Sequence, residues 1–442
     1  MPPTPENMLG VRPIRPLVLS MSAPVMLSML ISAIYNLVDS IYVAQVSDLD
    51  FLALSYAYPV QLLMIACCFG LGVGCNALLS RQLGRKDWPG ANDVACHGFF
   101  LYGLSWLVFA LVGLAGARLF FSLSTQDPRV ADSGVVYLTI CTVGSLGLCL
   151  QFLTERLLQS SGHPAGYMIV QGSGAVLNLI LDPVFIFGLD MGVAGAAVAT
   201  VLGQCSGGVI GLCLLRRFRS QFPISFRGFR PRRALIKEIG AIALPATATQ
   251  SLSSFMTLGM NQLLGLWSET AVYVLGAYFK IQSFVTMPVA GINSGLVPIL
   301  GYNYGARAPH RIRQAVRFGL QLGVGISLAG GVLLAVAALP LLTYCFRADE
   351  AALAMGVPAL AMTATAFPLA AVSIVLSAAL QSLGRSRDAL AVALLRQLVL
   401  LLPVAALLLW LVPDLVWLAF FITETLVALL SLFFYRRLPP LS

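Results

Sequence analysis

RRFRSQFPISFRGFRPRRALIK, from Arg216 to Lys237, sets eight basic residues in the middle of a 442-residue chain. On either side, 215 and 205 residues carry only 19 and 18 charged residues. Over the whole sequence 58% of residues are hydrophobic and only 10% are charged, against about 25% charged in an ordinary soluble protein. So few charges cannot cover a soluble surface, which excludes a soluble multidomain enzyme, a disordered chain, collagen and a secreted disulfide scaffold. The apolar runs are continuous rather than alternating, which argues against a membrane β-barrel. The fold class is therefore an all-α polytopic membrane protein.

A spanning helix needs about 20 mostly apolar residues. Reading outward from the basic stretch, charged and Gly/Pro breaks predict twelve helices, at 17–47, 51–80, 95–120, 130–153, 165–189, 192–215, 236–267, 271–301, 313–342, 352–379, 388–412 and 414–435. The termini and alternate loops on one side hold 22 of the 27 basic residues; the other side holds Arg118, Arg129 and Arg347 with nine acids. By the positive-inside rule both termini are expected in the cytoplasm. The net charge of +9 is thus a topology signal, with anionic lipid headgroups as its partners, and no nucleic-acid footprint. The apolar run after Met1 to Pro16 is too long for a signal-peptide core and is expected to remain as the first span.

The basic loop divides the chain into an N-terminal six-helix lobe, 1–215, an inter-lobe loop, 216–235, and a C-terminal lobe, 236–442. The halves are alike. At an offset of 221, Pro24 meets Pro245, Gln61 meets Gln282, and Gly70, Gly74 and Gly84 meet Gly291, Gly295 and Gly305. At 222, Gly134 meets Gly356, and Gln159-Ser160-x-Gly162 meets Gln381-Ser382-x-Gly384. Six helices is an even number, so the two repeats share one orientation, a transporter plan with a substrate cleft between halves.

Charges inside spans cost at least ~2.5–3.5 kcal/mol and mark function by default. Here they are Asp39, Asp182, Lys280, Arg396 and Glu424. Helical rise puts Asp39 and Thr200 ~12 Å and Asp182 ~10 Å below the outer surface, with Asn178 one turn beneath Asp182. Two carboxylates in a low-dielectric cavity cannot both stay ionised without a cation, so the set suits a proton carrier or a hard ion such as Na⁺. The bland alternative is that each Asp bonds local backbone, as Asp182 before Pro183 could. The second half loses this chemistry: Met260 stands opposite Asp39, and Leu402 opposite Asp182 when Pro183 is matched to Pro403.

Lys280 and Glu424 share an estimated depth and are expected to form a structural pair, with Glu424 as an alternative contact for a cationic substrate. Arg396 lies near the cytoplasmic end and can snorkel. Pro24 suits a hinge in helix one or a static kink. Tyr35, Gln61, Tyr278, Gln282 and Asn293 would suit a cavity for flat organic cations, against the plainer reading of interhelical hydrogen bonding. The nine cysteines form no CxxC pair and are expected to be buried, inert thiols.

Taken together, Leu9-Gly10, Pro24, Tyr35-Asn36-Leu37-Val38-Asp39, Gln61, Gly74 to Gly84, Gln159 to Gly162 and Asn178-Leu-Ile-Leu-Asp182-Pro183 resemble the MATE multidrug and toxin extrusion transporters. The opening segment is most similar to the MepA-like branch. The set Asp39, Asn178, Asp182 and Thr200 resembles the cation site of DinF-like members. The resemblance implies a secondary antiporter that exports cationic amphipathic drugs and dyes against inward H⁺ or Na⁺, with no cofactor, in which helix one bends near Pro24. It implies a monomer in the bacterial inner membrane. Helices seven and ten lack the acids of NorM-type members. The rivals are a lipid-linked saccharide flippase of the same superfamily, which would need more intramembrane bases, and an intramembrane aspartyl protease, whose Gly-x-Gly-Asp motif is absent around either Asp. An ATP-driven pump is excluded, as no G-x-x-x-x-G-K-[ST] loop occurs.

Overall fold

The computed structural model describes residues 7–46, 48–125, 127–218, 224–346 and 348–437, and of 33–46, 48–52 and 55 the backbone alone. Among the described residues every regular element is helical. After a short α1 (Met8–Val11) come α2 (Ile14–Val46), α3 (Asp48–Gly84), α4 (Trp88–Ser124), α5 (Pro128–Val143) with α6 (Leu146–Ser160), α7 (Pro164–Pro183) and α8 (Gly192–Arg217). The second half has α9 (Arg233–Gly265), α10 (Glu269–Gly305), α11 (Pro309–Pro340), α12 (Glu350–Ala364) with α13 (Phe367–Ser382), α14 (Ser386–Leu394) with α15 (Leu401–Leu411), and α16 (Leu418–Arg436). The apolar runs thus located each span, with ends displaced by a few residues. The fourth span was expected to stop at 153, whereas α6 continues to Ser160, because Glu155 and Arg156 are accommodated inside the protein rather than in a loop.

Nine described helices are long and apolar enough to cross a membrane, and the bent pairs α5–α6 and α12–α13 bring the number to eleven. α9 completes the twelve with a weaker apolar signal, since seven hydroxyl and amide side chains lie from Thr247 to Thr257. Five of the nine cysteines are buried, as expected, while Cys67 and Cys205 are half-buried and Cys213 and Cys345 are exposed.

The duplication is visible in the backbone. α5–α6 bends by 41° and α12–α13 by 44°, at breaks 221 residues apart. α3 and α10 end with Lys86 and Arg307 in the left-handed region at φ 58° and 54°, and α6 and α13 with Gly162 and Gly384 at 90° and 88°. In each of these four ends the next N–H reaches back five residues to a helix carbonyl, as in Asp87 to Gln82 (3.0 Å) and Ala308 to Asn303 (2.9 Å). That closes the last turn and supplies its orphan acceptors. Four helix starts are capped by carboxylates or a hydroxyl: Asp87 accepts from Gly90 N–H, Asp127 from Arg129 N–H, Ser268 from Thr270 N–H and Asp349 from Ala352 N–H.

Two compact units result, Met1–Val11 with Leu27–Thr247, and Arg12–Met26 with Ala248–Ser442. They differ from the sequence halves at the first helix of each. α2 changes unit two residues after Pro24, and α9 two residues after Pro245. Within the first unit, a Cβ on Gly70 would stand 2.0 Å from Thr247 Oγ1 and one on Gly74 2.8 Å from the Ile239 carbonyl. Within the second, a Cβ on Gly291 would stand 2.5 Å from Met26 Cγ and one on Gly295 2.5 Å from Ser22 Oγ. Missing side chains let these backbones touch, at positions again 221 apart. The core of the second unit gathers Met260, Tyr278, Phe367, Trp417 and Phe420.

Candidate functional site

In the first unit α6, α7 and α8 meet along a seam closed by glycine. Gly203, Gly207 and Gly211 fall at i, i+4 and i+8 on α8. A Cβ on them would stand 2.7 Å from the Gly174 carbonyl, 2.9 Å from the Val170 carbonyl and 2.1 Å from Thr154 Oγ1. Helices this close exclude bulky side chains, and the polar residues that remain between them must satisfy one another.

A chain of hydrogen bonds joins them. On α7, Gln171, Asn178 and Asp182 lie at i, i+7 and i+11, one helical face. Asn178 Nδ2 donates to Asp182 Oδ1 at 3.1 Å and to Thr200 Oγ1 of α8 at 3.4 Å. Asp182 and Asn178 are buried and Thr200 half-buried. Three of the four predicted coupling residues are therefore brought together. The fourth, Asp39, lies on α2, and its side chain is outside the described residues, as is that of Tyr35.

Toward the start of α7 the chain continues. Gln151 Nε2 donates to Gln171 Oε1 and to Glu155 Oε1, both at 3.1 Å, and Gln171 Nε2 donates to Ser32 Oγ at 2.6 Å. Between the two groups is a chamber of about 20 Å³ lined by Gln151, Gln171, Asn178, Thr200 and Gln204. Glu155 and Arg156 are 1% and 3% exposed. Sequence reading missed both, because an acid and a base beside the Gln-Ser-x-Gly turn looked like a solvated loop. The usable signal was Gln151 and Glu155 at i, i+4, neighbours on one face of the helix. The Arg156 guanidinium lies 5.2 Å from the Phe69 ring centre and 5.7 Å from that of Tyr167, and its Nη1 donates to Gln159 Oε1 at 3.2 Å.

The remaining candidates are dispersed. Gln61 Nε2 donates to Tyr137 Oη at 2.9 Å. Tyr278 is buried, its ring centre 5.0 Å from that of Phe420. Asn293 Nδ2 donates to the Ile374 carbonyl at 2.9 Å, while Gln282 is half-buried on α10. Glu424 does not pair with Lys280, which is exposed. Arg396 Nε donates to Glu424 Oε1 at 2.5 Å, with Ser373 Oγ donating to Oε2 at 3.5 Å. The reason is local. Arg396 sits on a π-helical turn, Leu395–Val399, whose extra residue per turn redirects side chains relative to an α-helix. Pro24 lies inside the continuous helix α2.

A family model described as MatE matches residues 24–184 and, a second time, residues 245–407. The chain belongs to the MatE family. The two matches begin at Pro24 and Pro245, the same register as the glycine contacts. Multidrug export protein MepA of Staphylococcus haemolyticus is 26% identical over 284 residues, 64% of this chain and 63% of that protein. MepA of Staphylococcus aureus strain MRSA252 is 26% identical over 286 residues, again spanning 63% of the relative's length. Among solved structures, an outward-facing multidrug resistance MATE family transporter of the MOP superfamily superposes with a TM-score of 0.90 at 24% identity over 98% of both chains. A MATE in the straight conformation gives 0.91 at the same identity and coverage. These likenesses establish the fold of this MatE chain as a two-repeat membrane bundle.

Proposed function

We propose that the chain is a secondary antiporter that exports cationic, amphipathic organic compounds in exchange for H⁺ or Na⁺, with Asp39, Asn178, Asp182 and Thr200 as the coupling-ion site. The observation that carries the reading is the buried Asn178–Asp182–Thr200 cluster. A buried carboxylate with amide and hydroxyl oxygens beside it is a donor set for a proton or for a hard cation. Asn178 Oδ1 has no protein partner among the described residues, so it is available to an ion or a water. MatE membership and the multidrug export relatives support the substrate class. Both termini are assigned to the cytoplasm of a bacterial inner membrane, and the unit of transport is a monomer in contact with lipid.

Ion and drug need not touch: each need only favour a different conformer, and their linkage is then reciprocal. Pro24, two residues from the point where α2 changes unit, is the hinge in this reading. The test is dye efflux from proteoliposomes under a pH gradient or a Na⁺ gradient, imposed one at a time. Wild type should respond to one of them, and Asp182→Asn should abolish the response while inserting normally. Wild-type pumping by Asp182→Asn would remove the site from the mechanism.

A further inference from the structure

The first unit holds a second buried carboxylate that the proposed coupling site does not use. Glu155 is 1% exposed, and its Oε1 accepts from Gln151 Nε2. Gln151 uses its other N–H on Gln171, and both amides line the same chamber as Asn178 and Thr200. A chamber of about 20 Å³ has room for one water molecule, which needs roughly 10–15 Å³. Asn178 Oδ1, buried and without a protein partner among the described residues, supplies such a water with an acceptor. Gln171 and Asp182 are eleven residues apart on one face of α7, or ~16 Å along its axis. The seam thus links two carboxylates through amides and a single water-sized gap.

We propose that Glu155 is a second proton-binding carboxylate of this chain, coupled to Asp182 through Gln151, Gln171 and the chamber. The chemistry lies in hydrogen-bond direction. Ionised Glu155 only accepts, which holds the Gln151 amide with its N–H groups toward Glu155 and Gln171. A proton on Oε1 makes that oxygen a donor, and with the O–H directed at Gln151 the amide reverses to offer its carbonyl. Gln171 Oε1 then loses its donor and takes one from the chamber water. That water's remaining hydrogen and lone pairs are reoriented toward Asn178 and Thr200, and Asn178 bonds both Thr200 and Asp182. Low local dielectric makes each unmade bond expensive, so the reversal propagates rather than dissipates.

The charged or titratable groups that face Glu155 are few. Arg156 is its neighbour on α6 and Tyr167 approaches from α7. α3 and α4 bring Phe69 and Tyr102 to the Arg156 side, and α8 contributes the uncharged Gln204 to the chamber. Arg156 faces the rings of Phe69 and Tyr167, and among the described residues no carboxylate is within ion-pair distance of it. The proposal rests on Asp182 being the coupling group, but it can fail separately.

The full chain in detergent, without substrate or gradient, is titrated across the neutral range while the infrared carbonyl band of protonated carboxyl groups is followed. Glu155→Gln should remove one titrating component. Gln151→Leu and Asp182→Asn should each shift the midpoint of that component. An unchanged spectrum in Glu155→Gln overturns the proton site, and unshifted midpoints in the other two overturn the coupling. If Glu155→Gln fails to fold, carbodiimide labelling of the wild-type chain decides the point, because the reagent modifies protonated carboxyls in apolar surroundings. Labelling at Glu155 that falls as pH rises supports the proposal, and no labelling at any pH overturns it. In proteoliposomes Glu155→Gln should slow gradient-driven efflux roughly tenfold, within the usual range of coupling between sites, and Glu155→Asp should restore part of it. Wild-type efflux by Glu155→Gln alongside a dead Asp182→Asn sinks the relay and leaves the antiport reading standing. Absence of gradient-driven efflux in the wild type sinks the antiport reading, while the infrared titration still decides Glu155.

Discussion

Arg396 and Glu424 show how one residue's setting decides what an intramembrane charge does. Their side chains are 21% and 11% exposed, in contact at 2.5 Å. Taking two ions out of water is costly, and their attraction offsets that cost only while both are present. Arg396→Met should therefore destabilise the protein by about 3–5 kcal/mol, because Glu424 is left buried and uncompensated. The double variant Arg396→Met, Glu424→Leu should lose much less. Thermal unfolding in detergent measures both, and additive losses would show that the pair is not coupled. Lys280→Met, on an exposed side chain, should be nearly silent in the same assay. Depth along a helix paired Glu424 with Lys280 and set Arg396 apart near the cytoplasmic end, because depth carries no information on the direction a side chain takes from a π-helical turn.

Among the helices, the seam of α6, α7 and α8 is set by what α8 lacks. A Cβ on Gly203 would stand 2.7 Å from the Gly174 carbonyl oxygen and 3.0 Å from Asn178 Cβ. Gly203→Ala must push α7 and α8 apart, at about 1–3 kcal/mol for an overpacked site, and it should loosen the Asn178–Thr200 hydrogen bond with it. Gly172 is the control on the facing helix, with no atom within 4 Å of where its Cβ would be. There alanine should be neutral or stabilising by up to about 1 kcal/mol, the intrinsic helix preference. Unfolding temperatures of the two variants in detergent make the comparison. Equal effects would mean that the glycine stripe does not set the helix spacing. The stripe at 203, 207 and 211 was open to reading in the sequence, but which neighbour each glycine faces was not, because spacing defines a face and not its partner.

For the molecule as a whole, the 22-to-3 division of basic loop residues predicts sidedness. With the nine native cysteines replaced, Arg230→Cys should react with a membrane-impermeant thiol reagent only from the cytoplasm, and Arg129→Cys only from outside. Reaction of both from the same side would reject the twelve-span arrangement. The number of spans, their duplication at an offset of 221 and the family could be read from the amino-acid sequence alone. Hydrocarbon leaves each backbone polar group no partner outside its own helix, so apolar length translates directly into spans. The reach of Asn178 to Asp182 was equally legible, since residues one turn apart on one helix must be neighbours. Thr200 joined them because helix lengths fix depth. Three features needed the tertiary structure: the burial of Glu155 and Arg156, the choice of Arg396 over Lys280 by Glu424, and the change of unit within α2 and α9. Each depends on which helices lie side by side and how closely. That is settled by packing across residues far apart in the chain, where glycine contacts and side-chain direction outweigh any local pattern.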